Sequence, residues 1–418
     1  MLLSESSEDN PYPQPYPQPG NPPYPVPPAP PPTDLPTVTP SLTAVRPTPT
    51  LPVSLDSLSI AILAGGRLQL WNQGAVTTLA EIDEKTFLVD ISDDGQWIAY
   101  DMGGELWAIN RDGSDNILLV SAGMLAGIEP AGPIAPASIG WLPGSHVLLF
   151  NTDISGDYGR YPAEDLQGAN LDTGSWDTLL GPGNGGHFYP SPDGKWIAVA
   201  RPDEIDLLNF NGGGYTTVLT YTNVGTGSET PFYFYASPVW SADSNYFLVH
   251  IPPPDVYYDT SEPASVWRIR VDGSPPEVIA RILTGPEVVF SPDFSMVAAF
   301  RIDGGVDPTQ ATNFYHLDGS SQLAASPTGL GFIAWAPDSQ HVVLSDGRYA
   351  EIGKLEDESI SLIEQTDGYL DFRWIDANHY LYRTGQAGEI EMRLGTIGEP
   401  SILLFYASGE QLVYDYWW

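Results

Sequence analysis

Fifty-three carboxylates stand against sixteen Lys and Arg side chains in these 418 residues, and six histidines and no cysteine complete the set of reactive groups. Such groups could support carboxylate acid–base chemistry or metal ligation, but their spacing assembles neither. No GxSxG elbow, HExxH helix or Walker loop occurs, so the usual nucleophile and metalloprotease templates have nothing to act through. The run Asp90-Ile91-Ser92-Asp93-Asp94-Gly95, with Asp101 in the twelfth place, resembles a calcium loop. Trp97 to Asp101 read as a buried strand, however, and no helix flanks the run, so a structural turn is expected. Gly181-Pro182-Gly183-Asn184-Gly185-Gly186 is rich enough in glycine to cradle a phosphate, but no helix follows to supply an N-terminus. His146, His341 and His379 each fall beside a tight turn, hence on a rim; His187 and His250 are better placed for a site. A metal needs converging ligands, so no metal, cofactor or catalytic residue is assigned.

The densest pairing of aromatic and polar groups lies elsewhere. Tyr158, Arg160 and Tyr161 form one group, Tyr221 and Phe232 to Tyr235 a second, and Tyr257 and Tyr258 a third. Asp153, Asp157, Glu164, Asp165, Glu229, Asp255, Asp259, Glu262, Asp303 and Asp307 accompany them. Tyrosine offers a flat apolar face with a polar tip, suited to a sugar ring or a protein partner. The candidate ligand-binding set is Tyr158, Arg160, Tyr161, Tyr233, Tyr235, Tyr257, Tyr258, Asp259 and Asp303. The competing reading is that these rings pack their own loops.

What positions them is a repeat. ISDDGQWIAY (91–100), WLPGSHVLLF (141–150), PSPDGKWIAV (190–199), WSADSNYFLV (240–249), FSPDFSMVAA (290–299), WAPDSQHVVL (335–344) and WIDANHYLYR (374–383) place a turn at Asp94, Gly144, Asp193, Asp243, Asp293, Asp338 and Ala377. The steps are 50, 49, 50, 50, 45 and 39 residues, the range of solenoids and propellers. Within a phrase, Pro sets φ, Asp bonds back to nearby N–H groups and Gly or Ser completes a bend between two apolar strands. A second signal follows at Asp112-Gly113, Asp172-Thr173-Gly174, Asn211-Gly212, Asp272-Gly273 and Asp318-Gly319, chemistry that joins a third strand to a fourth. Four strands per unit of this length predict an all-β chain of propeller blades.

SLSIAIL (57–63), RLQLWN (67–72) and AVTTLAEI (75–82) supply strands two to four of a blade that lacks its first. QLVYDYWW (411–418) looks like a first strand and stops where its turn should begin. Pairing the two closes a ring of eight blades and removes two sheet edges. Seven blades is the alternative, if the unit at 134–180, whose turn lacks Asp, is irregular. The phrases SPDGKWIAV, SPDFSMVAA and APDSQHVVL resemble the PD40 or TolB-like repeat, a WD40-like propeller repeat common in bacterial extracytoplasmic proteins; the likeness spans roughly residues 57–418. It implies the fold and an exported setting. Gly-His and Trp-Asp signals of true WD40 repeats are absent, as is TolB's small N-terminal α/β domain.

Residues 1–52 hold 18 of the 41 prolines in strings such as PYPQPYPQP and show no apolar period. They are expected to stay extended and disordered, as a spacer or as a ligand for Pro-recognising grooves, leaving 53–418 as the propeller. Met1-Leu2-Leu3 is too short an apolar run for a secretory signal, and no stretch approaches the ~20 apolar residues of a membrane span. Of the net charge of -37, all but three units lie in residues 53–418. A field of that sign disfavours nucleic acid and anionic membrane.

Strand parity assigns the loops. Connections from first to second and third to fourth strands share one face and are short; those from second to third strand and between blades share the other. The long segments 122–136, 151–168, 220–235, 251–264 and 302–311 all fall on this second face, and extended loops are where function tends to sit. The expected role is a non-enzymatic binding or scaffold propeller, recognising a protein or polysaccharide through that face. The alternatives are a glycan-active hydrolase or lyase using channel-mouth carboxylates, and a structural subunit of a surface layer or fibre.

Overall fold

The repeated turns close through their side chains. In four blades a serine hydroxyl donates to the turn aspartate and accepts the N–H of the residue opening the next strand: Ser92 with Asp94 and Trp97, Ser191 with Asp193 and Trp196, Ser241 with Asp243 and Tyr246, Ser291 with Asp293 and Met296. Where Ala336 and Ile375 remove the hydroxyl, a histidine takes over. Asp338 holds the His341 N–H and Nδ1 at 3.0 and 2.6 Å, and Asp376 does the same for His379 at 2.7 and 2.9 Å. The last unit therefore keeps its turn aspartate one place before Ala377, because its turn is one residue shorter.

The computed structural model describes residues 57–418 except 84–85, 129–133, 157–158, 213, 226–232, 255–261, 283–286, 301–311, 318–321, 328, 357–358, 387–388 and 408–411. Its strands form eight antiparallel sheets, the blades of a β-propeller. We number them I to VIII from the N-terminus. Blade I combines Ser59–Ala64, Arg67–Asn72 and Ala75–Glu81 with the C-terminal strand Leu412–Trp417, which pairs antiparallel to Ser59–Ala64 from Ser59 opposite Trp417 to Ala64 opposite Leu412. The remaining inner strands are Val89–Ile91, Ile134–Trp141, His187–Pro190, Val239–Trp240, Glu287–Phe290, Gly331–Trp335 and Asp371–Trp374. Blade III is not degenerate: it carries a fifth strand, Gly159–Pro162, folded back on a long Val147–Gly156. The ring has eight members because that unit is complete.

Alternation along each strand feeds two cores at once. Ile98 packs between blades I and II while Ala99 packs between II and III; Ile197 and Val199 serve the III–IV junction, Ala198 and Ala200 the IV–V junction. Eight buried apolar clusters occur among the described residues, one at each junction, including VIII–I, where Leu381, Met392 and Phe405 meet Ile60, Ile62 and Tyr414. Tryptophans reinforce the junctions: Trp141, Trp240 and Trp335 donate Nε1–H to Asp90, Tyr189 and Val289 carbonyls of the preceding blade. At Gly194 the fit is close enough that a Cβ would lie 2.2 Å from the Pro143 carbonyl oxygen.

Candidate functional site

Loops leave blades III and IV on the elaborated face, and three of them converge. The bend after Gly159–Pro162 puts Glu164 in the left-handed region, at φ 49°. Its carbonyl accepts the Gly185 N–H at 2.6 Å, and Gly185 lies so close to the Asp165 backbone, 2.3 Å from a would-be Cβ, that no other residue fits. The glycine run 181–186 thus serves the III–IV connection, as its lack of a following helix suggested. Asp165 is fully buried and accepts the Thr152 N–H, the Thr152 hydroxyl and Gln167 Nε2 at 2.8 to 2.9 Å, which anchors the bend.

Tyr235, on the connection from blade IV to blade V, donates its hydroxyl to Glu164 Oε1 at 2.7 Å. Its ring stacks on His187 at the start of blade IV's inner strand, with centroids 4.4 Å apart and planes 14° from parallel. Burial, then the neighbouring Glu164 carboxylate, pushes the Tyr235 hydroxyl well above its ordinary pKa. Desolvation under the stack holds His187 below the usual imidazole value, outweighing the pull of Glu164. Three groups 23 to 71 residues apart, from blade III, blade IV and the IV–V connection, so form one fixed platform at the mouth of the ring.

The other expected residues distribute around it. Tyr161 and Tyr233 are 46% and 43% exposed, the former on the blade III hairpin opposite Ile154, the latter bridged to Gly225. Such exposure argues against packing as their sole role. Arg160 leans the other way, its charge opposing the burial-driven rise in the pKa of Asp153 and of Asp101 in blade II. Tyr158, Tyr257, Tyr258, Asp259 and Asp303 lie outside the described residues. Glu164 and His187 join the site although neither was in the candidate set.

A second polar group lines the channel at blades VIII, I and II. Asp415 accepts the Ile91 N–H and Asp90 the Trp141 N–H, each at 2.8 Å, so each carboxylate caps the inner strand of the next blade. The two carboxyls are in hydrogen-bonding contact, and burial, followed by the Asp415 charge, pushes Asp90 up to about 8. One proton shared between the two half-buried acids is the expected outcome. Arg373 approaches Asp415 at 3.6 Å and covers the Tyr414 ring at 4.5 Å. Asp90 holds the Trp141 N–H of blade III, Asp94 the Gln96 N–H within its own turn, and Asp101 the Phe87 and Leu88 N–H groups ahead of blade II's inner strand, so the fold commits the calcium-like run to three separate structural tasks.

No family model matches the sequence, and no curated protein matches it. The fold resembles solved structures, among them a eukaryotic initiation factor, with a TM-score of 0.54 and 13% identity over 87% of this chain and 98% of that one. Another is dipeptidyl peptidase 4 of Porphyromonas gingivalis, with a TM-score of 0.52 and 13% identity over 78% of this chain; the matched part spans 55% of the peptidase. At that identity the likeness shows a β-propeller and nothing finer.

Proposed function

We propose that this propeller is a binding or scaffold module that recognises a protein partner through the elaborated face over blades III to V. The observation that carries the reading is the Glu164–Tyr235–His187 platform, with Arg160, Tyr161 and Tyr233 exposed on the same face. Fixed aromatics with polar tips give contact area at little entropic cost. The channel carboxylates favour this over glycoside hydrolysis. That chemistry separates its two carboxyls by about 5 to 9.5 Å, whereas Asp90 and Asp415 touch each other and hold backbone N–H groups. The resemblance to PD40 repeats and the Pro-rich spacer support an exported or cell-surface setting.

A random peptide library and a glycan array presented to the full chain test the reading. Peptides should be captured, and the double variant Tyr161→Ala, Tyr233→Ala should weaken them about tenfold or more, the scale of losing an aromatic anchor, with an unchanged melting temperature. Capture indifferent to both tyrosines would remove this face as the site. Selection of glycans in place of peptides would transfer the ligand class to polysaccharide.

A further inference from the structure

Glu164 carries an unbalanced charge in a prepared position. No cation pairs with it among the described residues; its one side-chain partner is the neutral Tyr235 hydroxyl. The adjoining carboxylate, Asp165, is likewise held by neutral donors alone. Glu164 is the partly exposed member of this acid pair and lacks a counter-ion among the described residues; in a chain of net charge -37, that makes its surroundings attractive to positive charge. The left-handed backbone at Glu164 costs conformational energy and persists because Gly185 and Tyr235 lock it, the pattern of a residue held ready for a ligand. Beside it the His187 ring has one face covered by Tyr235, while the residue as a whole stays exposed. Neither ring nitrogen has a hydrogen-bond partner among the described residues. Desolvation lowers the proton affinity of the imidazole, which favours the uncharged ring beside a cation.

We infer that Glu164, His187 and Tyr235 form a receptor for a cationic side chain of the partner, with arginine the preferred occupant. A guanidinium is planar and weakly hydrated: it can lie on the open face of the imidazole while its N–H groups reach the Glu164 carboxylate. An ammonium makes the ionic contact without the stacking. The inference rests on the binding role proposed above and specifies its chemistry: the partner presents a basic residue at the channel mouth.

The test uses blocked Gly-Arg-Gly, Gly-Lys-Gly and Gly-citrulline-Gly peptides added to the full chain, read on the His187 ring resonances, which His187→Ala assigns. The arginine peptide should shift them saturably, the lysine peptide more weakly, and isosteric, uncharged citrulline not at all. Glu164→Gln keeps an acceptor for Tyr235 and should raise the Kd about tenfold, the scale of one charge-assisted contact. Asp177→Asn, the same charge change on the exposed outer strand of blade III, should leave it within about twofold. An unchanged melting temperature and an unchanged Tyr161/Tyr233-dependent peptide capture in Glu164→Gln guard against a folding defect in that variant. Equal response to arginine and citrulline, or equal loss in Glu164→Gln and Asp177→Asn, would overturn the site. Library peptides captured through Tyr161 and Tyr233 yet indifferent to Glu164→Gln would also overturn it, while leaving the binding role intact.

Discussion

Replacing Asp90 by asparagine should make this protein more stable at alkaline pH. The Asp90 carboxyl accepts the Trp141 N–H and touches Asp415. Asparagine can keep both relations, accepting through Oδ1 and donating to Asp415 through Nδ2. What it removes is ionisation. Burial and the Asp415 charge raise the folded pKa from 3.8 to about 8, so the native state binds a proton that the unfolded chain has already released. The stability this confers is complete below the unfolded value and is lost as pH rises toward the folded one. At about 1.4 kcal/mol per pKa unit, the loss across that window has a ceiling of about 6 kcal/mol. The partial exposure of both carboxyls screens it, and we expect about 2 kcal/mol at pH 8 to 9. Urea titrations followed by tryptophan fluorescence at several pH values would show wild type and Asp90→Asn with similar midpoints in acid, and the variant's midpoint higher above neutrality. A variant less stable than wild type at pH 9, or an offset that does not change with pH, would refute the shared-proton account.

His250 makes the opposite case: it is 6% exposed, its Nε2 finds no partner among the described residues, and burial pushes its pKa down to about 3. Its contribution is present above the unfolded value of about 6.5 and lost as pH falls toward 3, so His250→Leu should flatten acid denaturation between pH 6 and 4, with a ceiling of about 5 kcal/mol. An acid midpoint that does not move would show that His250 is protonated in the fold. Gly194→Ala should cost about 2 to 4 kcal/mol, because its Cβ meets the Pro143 carbonyl and its φ is 66°. Gly144→Ala, with φ 71° and nothing within 4 Å, should cost about 1 kcal/mol; equal losses in thermal melts would contradict the close approach.

The ring was legible because its determinants are local and repeated. Asp193, Ser191 and Gly194 lie in one short phrase, and the truncated phrases at 57–82 and 411–418 add up to one blade. The last turn was misregistered by one residue, since Asp376 keeps its bonds to His379 across a shorter loop. The site was less legible. Glu164, His187 and Tyr235 come from three segments whose contact depends on where blade III's extra hairpin and the IV–V connection fold, and no periodicity records that. Asp90 and Asp415 are more distant still in sequence, and only their equivalent places in the repeat, near the ends of successive inner strands, hint that they meet.

Antiparallel closure also sets how the ring bears load. Ser59 sits opposite Trp417 and Ala64 opposite Leu412, so tension drawn through the chain on either side of blade I pulls both strands from the same end. Backbone bonds loaded that way open one after another, as a zipper does, instead of sharing the force in shear. The first pair to part also carries the Trp417 ring, whose Nε1–H holds the Asp93 carbonyl at 2.8 Å and whose face covers Gly95. That indole acts as a rivet at the head of the seam, and behind it the Tyr416 hydroxyl on the Trp374 carbonyl, the Asp415 cap on Ile91 and the Tyr414 ring in the VIII–I core must be released in turn as the tear advances.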